Sequence, residues 1–292
     1  MRRLAWTLAG AALAVANGPA LAQQETAASS GYVMPETETL TLRSKAGIQY
    51  SIFVSRPTGE APPGGYPVLY VLDANAMFAG FAEARRIHTG YFGDHHKMIV
   101  VGIGYPVDTP YAPRRMEDFT APFRSAELAA KFRDYRSGGR EAFLGFITDT
   151  LMPEMARRFS IDASRQSLYG HSLGGLFALY ALYTQPGLFH ATIAASPALW
   201  WDDQQILNDE RVFRDRLLAS KRVERISRLL VLIGAEEEYP VMVDDSVALV
   251  ERLRPLSGYG MRARIEVLED ERHLTVPSRS ITPTMRIAME SP

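Results

Sequence analysis

The stretch Gln166-Ser167-Leu168-Tyr169-Gly170-His171-Ser172-Leu173-Gly174-Gly175-Leu176 decides how this chain is read. Ser167, Leu168 and Tyr169 form a short run that suits a buried strand. Leu173, Leu176, Phe177, Leu179, Tyr180 and Leu182 then recur at helical spacing. Between them lies Gly170-His171-Ser172-Leu173-Gly174, a G-x-S-x-G pattern, so the spacing predicts a strand that turns abruptly into a helix with serine at the apex. A serine there has a strained backbone and a hydroxyl clear of the sheet. Gly170 and Gly174 carry no Cβ and are expected to let strand and helix pass closely. The helix start directs the Leu173 N–H toward any oxyanion that forms at Ser172. An ordinary Gly-rich turn with a solvated serine is the alternative, and it does not require both flanks.

Outward from this turn, strands alternate with helices. Residues 36–42 and 49–54 alternate apolar and polar side chains around a turn at 44–47, which predicts an antiparallel hairpin. Residues 57–67 hold four prolines and three glycines and read as a surface connection. Residues 68–72 (Val-Leu-Tyr-Val-Leu) and 98–103 are continuous apolar runs of the kind that fill central parallel strands, with a helix over 77–88 between them. Residues 108–124, rich in Pro and Arg without a period, read as a long ordered loop near the site. Residues 140–159 carry a helical stripe through Phe143, Phe146, Ile147, Leu151 and Met155. Downstream, 191–196, 229–233 and 264–268 read as strands, and 206–220, 242–256 and 276–289 as helices. This order predicts an α/β fold, with a mostly parallel sheet covered by helices on both faces. No repeat or linker divides residues 36–292, which read as one domain.

The 292 residues are 47% hydrophobic and 22% charged, with a formal net charge of −1. That allows a sizeable core and offers no basic excess for a nucleic-acid partner. Met1-Arg2-Arg3, an apolar stretch over 4–16 and Ala20-Leu21-Ala22 predict a secretory signal at residues 1–22, followed by a flexible lead-in over 23–35. The apolar stretch is short for a membrane span, so no stable insertion is expected after cleavage. Arg2-Arg3 leaves the general and twin-arginine export routes both open. Cysteine is absent, which removes disulfides, thiol catalysis and lipid attachment through Cys. The expected location is the periplasm or the medium beyond it.

A serine hydroxyl needs a base to take its proton, and the base is usually a histidine held by an acid, in the chain order Ser, Asp or Glu, His. Of the six histidines, His190 and His273 follow Ser172. His190 precedes a strand; His273 follows the last one, at the end of the sheet where ligands bind. Glu236, Glu237 and Glu238 follow Gly234, and the usual offset favours Glu237, although a solvated acidic loop reads the same way. The Ala74 N–H, or next Asn75, is the expected second oxyanion donor. Trp200-Trp201 suits an aromatic wall for an acyl or aryl group or plain packing. Arg114 and Arg115 suit either a grip on an anionic or catecholic substrate or the surface. His95-His96 are adjacent and point apart, so neither metal nor cofactor is expected.

These residues together resemble a known family. Residues 67–75 (PVLYVLDAN), 101–106 (VGIGYP), 114–120 (RRMEDFT), 169–175 (YGHSLGG) and 196–201 (SPALWW), with the late His273, are similar to the putative-esterase group of α/β-hydrolases. Within that group they resemble periplasmic siderophore trilactone esterases, the enterobactin and salmochelin hydrolases. The resemblance covers most of the chain beyond residue 22. It implies the α/β-hydrolase fold, Ser172 as nucleophile, His273 as base, Leu173 and Ala74 as oxyanion donors, and Arg114 or Arg115 near an aromatic substrate. Ala74 stands where many relatives have Gly, which implies a tighter approach. The expected activity is hydrolysis of a small-molecule carboxylic ester through an acyl-enzyme. A general acyl or feruloyl-type esterase, and a siderophore- or glycan-binding relative without catalysis, are the other readings.

Overall fold

Among the described residues, eight strands, numbered in chain order, form one sheet in the order β1-β2-β4-β3-β5-β6-β7-β8. β1 (Thr37–Arg43) and β2 (Gln49–Ser55) make the expected hairpin. β2 also pairs antiparallel with β4 (Ile99–Gly104), so the hairpin extends the main sheet. From β4 onward every pairing is parallel, through β3 (Tyr66–Val71), β5 (Ile161–His171), β6 (Ala191–Ala195), β7 (Arg228–Gly234) and β8 (Ala263–Leu268). The computed structural model describes residues 32–92, 97–222, 224–239 and 241–291. The expected signal at 1–22, residues 23–31 of the lead-in, and His95-His96 lie outside the described residues.

Alternation along each strand sorts side chains between two cores. Leu69 and Val71 of β3 join Tyr169, Ile193 and Leu232 beneath α1 (Ala74–Phe92) and α10 (Val276–Met289). Val68, Tyr70, Leu168 and Val231 face the larger opposite core. That core is closed by α2 (Arg115–Phe119), α4 (Arg140–Phe146), α5 (Met152–Arg158), α6 (Leu173–Thr184), α8 (Ile206–Ser220) and α9 (Val241–Leu253), while α3 (Ala126–Lys131) lies nearer the surface. Burial on both faces explains why these strands read as unbroken apolar runs.

Two expectations need correction. The stretch 108–124 contains the helix α2, too short to leave a period. The stripe over 140–159 is broken by a π turn at Ile147–Leu151, just before Pro153, whose missing N–H removes a helical hydrogen bond. A further turn, α7 (Trp201–Gln204), is held by left-handed Asp202 and Asp203. The Asp202 carboxylate accepts from the Arg124 and Ser125 N–H groups, both at 2.8 Å, and ties this turn to the chain entering α3.

The order of strands reverses between β3 and β5: β3 leads outward to β4, and the chain then returns to the other side of β3. Such a switch opens a crevice at the C-terminal ends of the strands. Ser172 and Ala74 follow the two strands that flank it.

Candidate active site

Ser172 joins β5 to α6 at φ 58° and ψ −117°. Its N–H donates to the Ala195 carbonyl at 2.9 Å, and its own carbonyl accepts from Leu176 at 3.0 Å and Ala198 at 3.2 Å. These bonds hold a backbone that an L-residue rarely adopts. The close crossing rests on Gly170, where a Cβ would lie 2.1 Å from the Gly174 carbonyl oxygen. A Cβ on Gly174 would meet nothing nearer than Asp73 Oδ2 at 3.4 Å, so Gly174 contributes its main chain rather than its missing side chain. Leu173 is the first residue of α6, and its N–H has no partner within that helix.

His273 sits in the turn between β8 and α10. Its Nε2 lies 3.0 Å from Ser172 Oγ and its Nδ1 lies 2.8 Å from Glu237 Oε2. Glu237 is buried, and its other oxygen accepts from Ser196 Oγ and from the Gly234 N–H. Burial by itself pushes this carboxyl up; hydrogen bonds from His273, Ser196 and Gly234 more than offset it and hold it below the usual carboxylate range. Its neighbours serve the same turn. Glu236 pairs with Arg272 at 3.4 Å, and Glu238 accepts the His273 N–H at 3.3 Å. The three adjacent glutamates, which left the acid open in sequence, divide into three separate tasks.

His171 closes the arrangement from beneath. Its Nε2 donates to the His273 carbonyl at 2.8 Å, and its ring lies 4.6 Å from the His273 ring. Burial, reinforced by the charges of His273 and Arg115, pushes its pKa down to about 3, so it is a neutral support.

The sequence profile described as "Putative esterase" matches residues 44–254. The chain belongs to the putative-esterase family. Ferri-bacillibactin esterase BesA of Bacillus subtilis is 36% identical over 272 residues, covering 89% of this esterase and 92% of that protein. The BES protein of Bacillus cereus superposes with a TM-score of 0.80 at 31% identity, over 90% of this chain and 98% of its own. The siderophore hydrolase EstB of Aspergillus nidulans follows at 0.77 and 28%, over 90% and 98%. The fold is the α/β-hydrolase fold, and the esterase is a carboxylic ester hydrolase.

The remaining site candidates of the esterase fall in different places. Ala74 is the first residue of α1, and its methyl packs against β4, where a Cβ on Gly102 would lie 2.7 Å from it. The Ala74 methyl is thus accommodated inside the fold. Trp201 is buried against Phe123 and Phe132, whereas Trp200 is 37% exposed and its ring lies 6.1 Å from that of exposed Tyr239. The exposed aromatic pair is therefore Trp200 with Tyr239, and Trp201 is core packing. Arg114 turns to Asp118 and Glu117, at 3.2 and 3.4 Å, and lines a cleft with Lys45, Tyr50 and Phe146 that includes none of Ser172, Glu237 or His273. Arg115 forms a two-bond pair with Asp73. His171, Ser196 and Asp73 also belong to the site, although none of them stands out in the sequence as a catalytic candidate. Each is the residue at or just past a strand's C-terminal end, and that position is the signal that would have found them.

Among the described residues, no helix is long and apolar enough to cross a membrane, and no group of three or more His, Asp or Glu is arranged to hold a metal ion.

Proposed function

We propose that this chain is an exported serine esterase that opens siderophore esters through an acyl-enzyme. The observation that carries the reading is the unbroken line from Ser172 Oγ through His273 to buried Glu237. His273 Nε2 takes the Ser172 proton as Oγ attacks the ester carbonyl. The tetrahedral oxyanion rests on the Leu173 and Ala74 N–H groups, and Glu237, held ionised, orients the imidazolium. Collapse breaks the ester C–O bond, and His273 returns the proton to the leaving alcohol. Water, deprotonated by His273, then attacks the acyl-serine; collapse breaks the acyl C–Oγ bond and releases the acid, and His273 returns the proton to Ser172 Oγ.

The substrate class is supported by the relatives named for ferri-bacillibactin and siderophore hydrolysis, and by the aromatic surface of Trp200 and Tyr239. The N-terminal pattern over residues 1–22 and the absence of cysteine support export to the periplasm or medium.

The test compares iron-free and ferric enterobactin with short p-nitrophenyl esters and a feruloyl ester. Preference for the trilactone is the expected result, with Ser172→Ala lowering kcat by about a thousandfold or more. Turnover of simple esters alone would replace the siderophore reading with that of a general acyl or feruloyl-type esterase. Near-normal turnover by Ser172→Ala would remove the serine mechanism.

A further inference from the structure

The chain leaving β3 is gripped on two sides by side chains that a substrate-binding role does not account for. Asp73 lies in the left-handed region at φ 52° and is buried. Its carboxylate accepts two parallel hydrogen bonds from Arg115, Nε to Oδ1 and Nη2 to Oδ2, both 2.8 Å. The Asp73 carbonyl accepts from Ala76 and Met77, so Asp73 also starts α1. On the other flank, Asn75 Nδ2 donates to the Tyr105 carbonyl at 3.0 Å and the Val107 carbonyl at 2.8 Å, and Asn75 Oδ1 accepts the Tyr105 N–H at 2.9 Å. Between these anchored side chains is Ala74.

The neighbouring strand is shaped to fit. Gly102 of β4 leaves space for the Ala74 methyl, and a Cβ on Gly104 would lie 2.5 Å from Asn75 Oδ1. The guanidinium of Arg115 is covered as well as paired, lying over the Tyr111 ring at 5.2 Å and the Phe119 ring at 5.4 Å, with its side chain only 15% exposed. The Nε–Nη2 edge of its guanidinium is already engaged by Asp73.

We propose that Asp73, Arg115 and Asn75 are positioning residues that hold the Ala74 N–H where the oxyanion at Ser172 needs it, with Arg115 acting through Asp73 rather than gripping substrate. This rests on the acyl-enzyme reading above. An oxyanion donor works at a narrow distance, and a backbone amide can be aimed only by fixing its neighbours. The two-bond ion pair fixes the residue before Ala74, and the three amide bonds fix the residue after it. The segments DAN at 73–75, GIGY at 102–105 and the arginine at 115 become parts of one clamp.

The test is steady-state kinetics with a neutral ester, p-nitrophenyl butyrate, and an anionic one, p-nitrophenyl hemisuccinate. The variants are Asp73→Asn, Arg115→Gln, Arg115→Lys, the double Asp73→Asn/Arg115→Gln, and Asn75→Ala, with Ser172→Ala alongside. The expected result is a fall in kcat of about 10- to 100-fold for both esters in Asp73→Asn, Arg115→Gln and Asn75→Ala, with KM within about twofold. The double variant, which replaces the buried ion pair by two neutral amides and so strands no lone charge, falls no further than either single change. Arg115→Lys recovers part of the loss. A KM that rises for the hemisuccinate alone in Arg115→Gln, and falls in Asp73→Asn as the guanidinium is released, would make Arg115 a substrate ligand and overturn the proposal. Unchanged kcat in the double variant and in Asn75→Ala would overturn it too. In either case, loss of activity in Ser172→Ala leaves the esterase mechanism standing, whereas an active Ser172→Ala removes both.

Discussion

Ser172 keeps a backbone conformation that costs an L-residue about 1–3 kcal/mol, and it does so to project Oγ toward His273. Glycine adopts the same φ and ψ without that penalty. Ser172→Gly is expected to abolish turnover while raising the unfolding free energy by about 1 kcal/mol, after allowing for the greater entropy of glycine in the unfolded chain. Thermal unfolding checks this: a rise of about 2 °C fits a chain of this length, and an unchanged or lower Tm would mean that the elbow stores no strain. The same scale explains how the acid is selected among three glutamates. Only Glu237 has its carboxylate buried between Ser196 Oγ and His273 Nδ1, while Glu236 and Glu238 stay closer to solvent.

At the scale of elements, the elbow depends on how closely β5 and α6 cross. A Cβ at residue 170 would meet main chain, which cannot rotate away as a flexible side chain can. Gly170→Ala is expected to destabilise the fold by about 3 kcal/mol or more and to lower soluble yield. Gly174→Ala, facing ordinary contact distance, is expected to cost under about 1 kcal/mol; chemical denaturation of the pair measures the contrast, and equal losses would refute it. Periodicity made most of these elements legible. The helices over 206–220 and 276–289 and the central strands were readable because each is long and packs one or both faces into a core. α2, α3 and α7 were not, because five, six and four residues are too few to show a period and their shape is set by contacts such as those of Asp202 with Arg124 and Ser125.

For the whole molecule, the buried supports of the site couple stability to pH. His171 stays neutral in the fold down to about pH 3, whereas in the unfolded chain it takes a proton near pH 6.5. Its contribution is therefore complete above pH 6.5 and lost on acidification, at about 1.4 kcal/mol per pH unit. Glu237, held low, adds loss of the same sign that starts as the pH falls through the ordinary value of 4.5, where the unfolded chain takes up the proton. Asp118 acts oppositely: burial, only partly offset by Arg114 and Tyr50, raises it to about 6, so its protonation favours the fold between pH 6 and the unfolded value of 3.8. Comparing wild type with His171→Gln isolates the first effect. Between pH 7 and pH 5 the wild type is expected to lose about 2 kcal/mol more than the variant, and parallel curves would show that His171 titrates freely in the folded protein.

Read alone, the chain's order of apolar runs and turns determined the α/β class, the strand-elbow-helix and the two residues, Ser172 and His273, that lie at the right ends of their strands. Those features are local, because periodicity and position along the chain carry them. Tertiary structure alone decided which glutamate meets His273, that His171 supports it from below, that Arg114 and Arg115 turn to opposite carboxylates, and that Ala74 is anchored through its neighbours. Each of these depends on the direction of side chains brought together from strands far apart in sequence, and adjacent residues with the same chemistry, such as Arg114 and Arg115 or Glu236 to Glu238, differ only in that direction.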